Sequence, residues 1–291
     1  MSPYIFALLA NLSWGLSAQF YTFYSKKISP VWVNIFKGIL GCILFGLTVI
    51  LTGGFSAMPL GAIGLFLLSG FIGLGFADIL FFKSFSVIGS SRTIIIVSFE
   101  TLFVGVMAYH FFGQQISGIK FLSIFFLIAC VFIFALENYK KTSKWSWHII
   151  LIAIAGTFLD SLGVIATRAA FNMSNASPLE ANAIRFMGAI AAFVIIAPAM
   201  KVRFFNRLGR MSRKALLGIT AGAVIGSYLC MLFYLNALKT GNLAIISALL
   251  CTGVIFAAFF ECLFERKWPS KYLLAAIGLF LCGMFFLFYQ F

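Results

Sequence analysis

Long apolar runs, broken by short polar connections, make up nearly the whole chain. The runs are continuously apolar and do not alternate every second residue. A hydrocarbon core of about 30 Å takes roughly 20 helical residues, whereas a barrel strand needs about 10 of alternating polarity. The pattern therefore predicts membrane-spanning helices. Ten segments have spanning length: roughly 3–24, 31–51, 60–82, 91–112, 117–137, 147–171, 179–199, 214–238, 242–264 and 269–291. A short polar turn, Ser84 to Ser91, is expected before the fourth, and a basic loop over 200–214 is the longest connection. The first run lacks a basic leader and reads as a span, not as a cleaved signal. The expected fold class is all-α and integral to a membrane, with ten transmembrane helices.

Composition strengthens this. Of 291 residues, 63% are hydrophobic and 10% charged, with mean hydropathy +1.08. A soluble domain is nearer 25% charged, so this chain must use lipid as solvent. The formal net charge of +14 does not point to nucleic acid, because the basic residues sit in short loops. Loops after odd-numbered segments hold most of them, among them Lys26, Lys27, Arg92, Lys140, Lys141, Lys201, Arg207, Arg213 and Lys267. The opposite loops hold Lys120, Arg168 and Lys239. By the positive-inside rule the basic side is cytoplasmic, so both termini are expected outside. Short loops suit a bacterial inner membrane. The six cysteines lie in apolar runs without metal or redox spacing and read as small hydrophobes. His110 and His148 have no neighbouring acid or thiol cluster. No catalytic motif is present, and the chain is expected to be neither an enzyme nor a metal or cofactor protein.

The two halves align on each other. Ser29-Pro30 falls on Ser177-Pro178, Asn34 on Asn182 and Lys37 on Arg185, all at one offset. After a small loop adjustment Gly75 falls on Gly226, Thr101 on Thr252 and Gln114 on Glu265. Residues 1–140 and 147–291 therefore read as two copies of a five-helix unit. Five is odd, so the copies insert in opposite directions, as two inverted repeats do in secondary transporters.

At this point the chain resembles the EamA-type transporters of the drug/metabolite transporter superfamily. The residues that carry the likeness are Trp14-Gly15, Pro30 with Lys37, and Ser98-Phe99-Glu100 followed by Gly113-Gln114. The family pattern has Pro after the Glu and an acid after the Gly. Thr101 and Gln114 stand there in this chain, and Cys251 stands where a second-half Glu would be. The resemblance implies a cavity between the halves and export or exchange of small metabolites.

The candidate site residues are the ones that burial in lipid makes expensive. Glu100 lies near the middle of an apolar run, where an ionised acid costs on the order of 3 kcal/mol or more. It is either a buried tie between helices or a substrate-binding or proton-coupling acid. Neither Glu100 nor Asp160 recurs in the other half, which favours a site role over scaffold. Asp160 shares a helix face with Thr157, Gly163, Val164 and Thr167. Asp78 is expected to pair with Lys37. Arg185 is expected to reach Glu180 or Arg168 at the outer mouth, so Lys37, Asp78, Arg168 and Arg185 form a structural or gating group. Asn11 and Trp14 lie on one face of the first helix, and Tyr21, Asn182, Tyr228 and Asn236 are weaker candidates of the same kind. Gly218, Gly222 and Gly226 form a close-packing seam.

These features predict a secondary transporter of a small polar metabolite, such as an amino acid or amine, working by alternating access. Proton coupling, a passive channel and drug efflux are the alternatives. The expected partners are the solute and membrane lipid, with monomer and homodimer both open.

Overall fold

The computed structural model describes residues 2–112, 125, 126, 129, 132, 133, 136, 137, 140, 147–241, 246, 249 and 252–288. Gln114, Cys251, most of 117–137 and the start of 242–264 lie outside the described residues. The described residues form helices joined by short connections. Helices α1 (Pro3–Lys27), α2 (Pro30–Leu51) and α3 (Leu60–Ser69) lead into a first π-helical segment (Gly70–Ala77) and α4 (Asp78–Ile88). Then come α5 (Ser90–Val97), α6 (Glu100–Phe112), α7 (Trp147–Met173), α8 (Pro178–Ala199), the short α9 (Phe204–Leu208) and α10 (Arg213–Ala223). A second π-helical segment (Val224–Leu229), α11 (Cys230–Thr240), α12 (Gly253–Glu265) and α13 (Lys271–Phe288) complete it.

Six of these stretches are long and apolar enough to cross a membrane: 30–51, 60–88, 90–111, 147–173, 178–199 and 213–240. Large apolar side chains such as Ile50, Leu51, Leu151 and Val194 stand exposed on the outer faces of such helices, which is stable only against lipid. The protein is an integral membrane protein. The expected count of ten rests further on α1, α12, α13 and the segment 117–137, most of which lies outside the described residues.

Helix starts follow local chemistry. Ser29 and Ser177 each cap a helix with the hydroxyl, and each is followed by Pro at the first helical position. That position needs no N–H donor. Glu180 closes a capping box on Ser177, accepting from the Ser177 amide at 2.7 Å.

Three features depart from the sequence expectation. The polar turn over 84–91 shrinks to Gly89, whose φ of +85° is left-handed and suits only glycine without strain. Ser84 Oγ instead donates to the Leu80 carbonyl at 3.0 Å within α4. Second, the fourth span is broken at Ser98–Phe99. There Thr101 N donates to Ser98 O at 3.2 Å and Leu102 N to Phe99 O at 3.0 Å, bonds of the tighter i→i+3 kind. In the second half α12 begins just past the aligned place, with Thr252 N on Leu249 O at 3.0 Å. Third, both aligned third helices contain a π-segment, and Gly75 and Gly226 lie in the two of them.

Close helix contacts run along glycines. A β-carbon at Gly70 would collide with the Arg185 carbonyl oxygen, and one at Gly188 with that of Leu67, so α3 and α8 meet backbone to backbone. The expected seam is present: Gly218, Gly222 and Gly226 pack on Tyr24, Phe20 and Ser17 of α1.

Candidate functional site

A cavity of about 90 Å³ lies inside the bundle. The first half lines it with Asn11 and Trp14 of α1, Leu74 of the first π-segment, Asp78 and Phe81 of α4, and Ile94, Val97, Ser98, Glu100 and Thr101 around the break. The second half supplies Asp160 of α7, Arg185 of α8, and Cys230, Met231 and Tyr234 of α11.

Glu100 is the first residue of α6. The i→i+3 turn before it ends α5 and begins a new helix, so the carboxyl sits on a helix N-terminus, where the dipole favours negative charge. Tyr234 OH faces Glu100 Oε1 at 3.5 Å. Thr101 takes the place where the family pattern has Pro, and the break forms regardless. Asp160 enters from the opposite half. Both carboxyls line the same cavity. A β-carbon at Gly73 would stand 3.0 Å from Asp160 Oδ1, so the π-segment leaves room for this acid.

The Lys37–Asp78 ion pair is formed, with side chains 2% and 9% exposed. Lys37 Nζ also lies 5.0 Å from the centroid of the Phe82 ring. Asn34 Nδ2 donates to Leu74 O at 3.1 Å and Gly75 O at 3.0 Å, satisfying carbonyls in the π-segment beside the pair.

Arg185 corrects the expectation. It does not meet Glu180 at the outer mouth. Glu180 accepts from the Ser56 and Ser177 amides at 2.5 and 2.7 Å. Arg168 Nη1 donates to the Leu238 carbonyl at 2.5 Å. Arg185 lines the cavity instead, 2% exposed. Its Nε donates to Ser69 Oγ at 3.0 Å, and Ser69 Oγ is 2.6 Å from Thr167 Oγ1. Its Nη1 is buried without a hydrogen-bond partner.

The other candidates divide. Trp14 lines the cavity and packs on Phe85 at 6.1 Å between centroids. Asn11 lines it too, but both its amide hydrogens are committed, to Leu249 O at 2.7 Å and Thr252 Oγ1 at 3.0 Å. The structure places Tyr21, Asn182, Tyr228 and Asn236 elsewhere. Tyr21 meets Ser227 at 3.1 Å, Tyr228 meets Thr48 at 2.8 Å, and Asn182 and Asn236 donate to the Met231 and Leu232 carbonyls. Thr157 and Thr167 bond carbonyls one turn back in α7. Sequence reasoning passed over Tyr234, Ser98 and Thr101. Tyr234 has no acid near it in sequence, so its one signal was an aromatic hydroxyl in an apolar run, and the π-segment before it shifts the face on which it falls.

The EamA-like transporter family model matches residues 1–136 and again 140–289. No curated protein sequence matches significantly. One solved crystal structure superposes with a TM-score of 0.70 over 99% of this chain and 96% of its own length, at 11% identity. At that identity the likeness speaks for the fold alone.

Proposed function

Because this chain belongs to the EamA-like transporter family of the drug/metabolite transporter superfamily, we propose that it is a secondary transporter of a small polar metabolite bearing a positive charge. The observation that carries this is one cavity receiving Glu100 from the first half and Asp160 from the second. Acids inside a membrane face a cavity or a partner. With Asp78 neutralised by Lys37, the described lining sets Glu100 and Asp160 against Arg185, one acid in excess. An ammonium group or a proton meets that demand.

The residue placement suits alternating access. Movement of one five-helix half against the other changes the Glu100–Asp160 separation, and with it the affinity for a cation lodged between them. The cytoplasmic side is the basic one, the membrane is a bacterial inner membrane, and the two halves insert as inverted repeats. Counterflow in proteoliposomes tests the proposal. Saturable uptake of a labelled amino acid or amine against its own unlabelled pool is expected. Non-saturating flux without counterflow would identify a channel instead.

A further inference from the structure

Resting on the transporter reading of the same cavity, we infer that Arg185 is the specificity-determining residue that holds a substrate carboxylate. The substrate class is then the zwitterionic α-amino acid, its ammonium between Glu100 and Asp160. A guanidinium offers five N–H donors in a planar fork. In Arg185 the Nε edge is fixed by Ser69 at 3.0 Å, and Ser69 is itself held by Thr167. The fork is thus oriented by the scaffold while Nη1 stays buried and unpartnered in the lining. Buried charged donors without acceptors are costly, and a carboxylate is the acceptor whose geometry fits the fork.

The protein's own acids do not fill this role. Asp78 is engaged by Lys37, and Glu100 faces Tyr234 OH. Asp160 lines the same cavity without bonding Nη1. A plain amine would satisfy the acids and leave Arg185 unpaired. A plain carboxylic acid would do the reverse. A zwitterion satisfies both and adds no net charge to the membrane interior. Trp14, Phe81 and Met231 line the same space with apolar surface, which suits an apolar side chain.

The test measures binding of L-leucine and L-phenylalanine to the purified protein, beside isoamylamine and phenethylamine, which lack the carboxylate. Wild type is expected to bind the amino acids at least about tenfold tighter than the amines, the discrimination that hydrogen bonding to a buried polar group supports. Arg185→Met should erase that ratio by weakening the amino acid and sparing the amine, and Arg185→Lys should restore part of it. Should Arg185→Met not fold, Ser69→Ala, which frees the Nε edge, should lower the same ratio. A wild-type ratio near one, a ratio untouched by these variants, or no binding of either amino acid overturns the assignment. Counterflow of amines with no amino acid binding would leave the transporter reading standing and remove only Arg185's role. Absence of counterflow for every solute would remove the transporter reading itself.

Discussion

Lys37 of α2 and Asp78 of α4 neutralise each other inside the bundle, each nearly sealed from solvent. Breaking such a pair from one side strands a buried charge, at about 3–5 kcal/mol, while replacing both partners by apolar residues is often neutral. Lys37→Met should therefore lower unfolding stability in detergent by that amount. Lys37→Met with Asp78→Leu should recover most of it. A double variant as unstable as the sum of the singles would mean that the pair does not act as a unit.

Glu100→Gln keeps the shape of the side chain and removes its charge. The variant should fold like wild type, as judged by its melting midpoint. Its counterflow should fall by at least about tenfold, or lose its dependence on pH, as expected for an acid worth 1.4 kcal/mol or more to a bound cation or proton. Wild-type flux at every pH would take Glu100 out of the mechanism.

Glycine replacements should separate by location. Gly70→Ala and Gly188→Ala drive a methyl into a backbone carbonyl across the α3–α8 contact, and should cost about 1–3 kcal/mol as overpacking does. Gly105→Ala in α6 meets nothing within 4 Å and should gain up to about 1 kcal/mol from helix propensity. Thermal unfolding of the three variants decides it.

Glu261 of α12 caps α5 from a different helix, accepting from Ser91 N at 2.9 Å and Ser90 Oγ at 3.1 Å. Gln19 Oε1 of α1 joins the cluster, 3.1 Å from the same Ser90 hydroxyl, whose one hydrogen the two acceptors share. Glu261→Ala should lower stability by about 1–3 kcal/mol, the cost of orphaned buried donors. Glu261→Gln should lose less, since it keeps an acceptor. Equal midpoints for all three proteins would show that the cap adds no stability.

Orientation can be read by labelling single cysteines in a cysteine-free background. Ser2→Cys should react with an impermeant reagent from outside, and a cysteine at Arg207 only after the cytoplasmic face is opened. The reverse pattern would invert the topology.

Much of this was readable along the chain. Run lengths located most helices to within a few residues, because lipid leaves the backbone few alternatives. Ser29-Pro30 and Ser177-Pro178 marked two helix starts through their own capping chemistry. The Lys37–Asp78 pair followed from depth, since buried charges must find each other. Register was harder to read. Tyr228 was a candidate and Tyr234 was not, yet it is Tyr234, just past a π-segment that breaks the 3.6-residue period, that reaches the lining. Ser84 suggested a turn, yet a serine inside a lipid-embedded helix simply bonds back to its own carbonyl ladder. Arg185 suggested the outer mouth, because Glu180 stood near it in sequence while Ser69, its actual anchor, lay more than a hundred positions away.

The π-segment that ends at Ala77 makes residue count itself a determinant of the site. Each residue of an α-helix advances the side-chain direction by about 100°, and a π-turn accommodates one residue beyond the α-helical repeat. Deleting any single residue within 70–77 would let the helix close into α geometry, whichever residue was lost. Everything downstream would then swing by about 100°, carrying Asp78 away from Lys37 and Phe81 out of the lining. The second segment, 224–229, holds Tyr234 opposite Glu100 in the same manner. In these two stretches the number of residues is constrained as firmly as the glycines that neighbouring helices press upon.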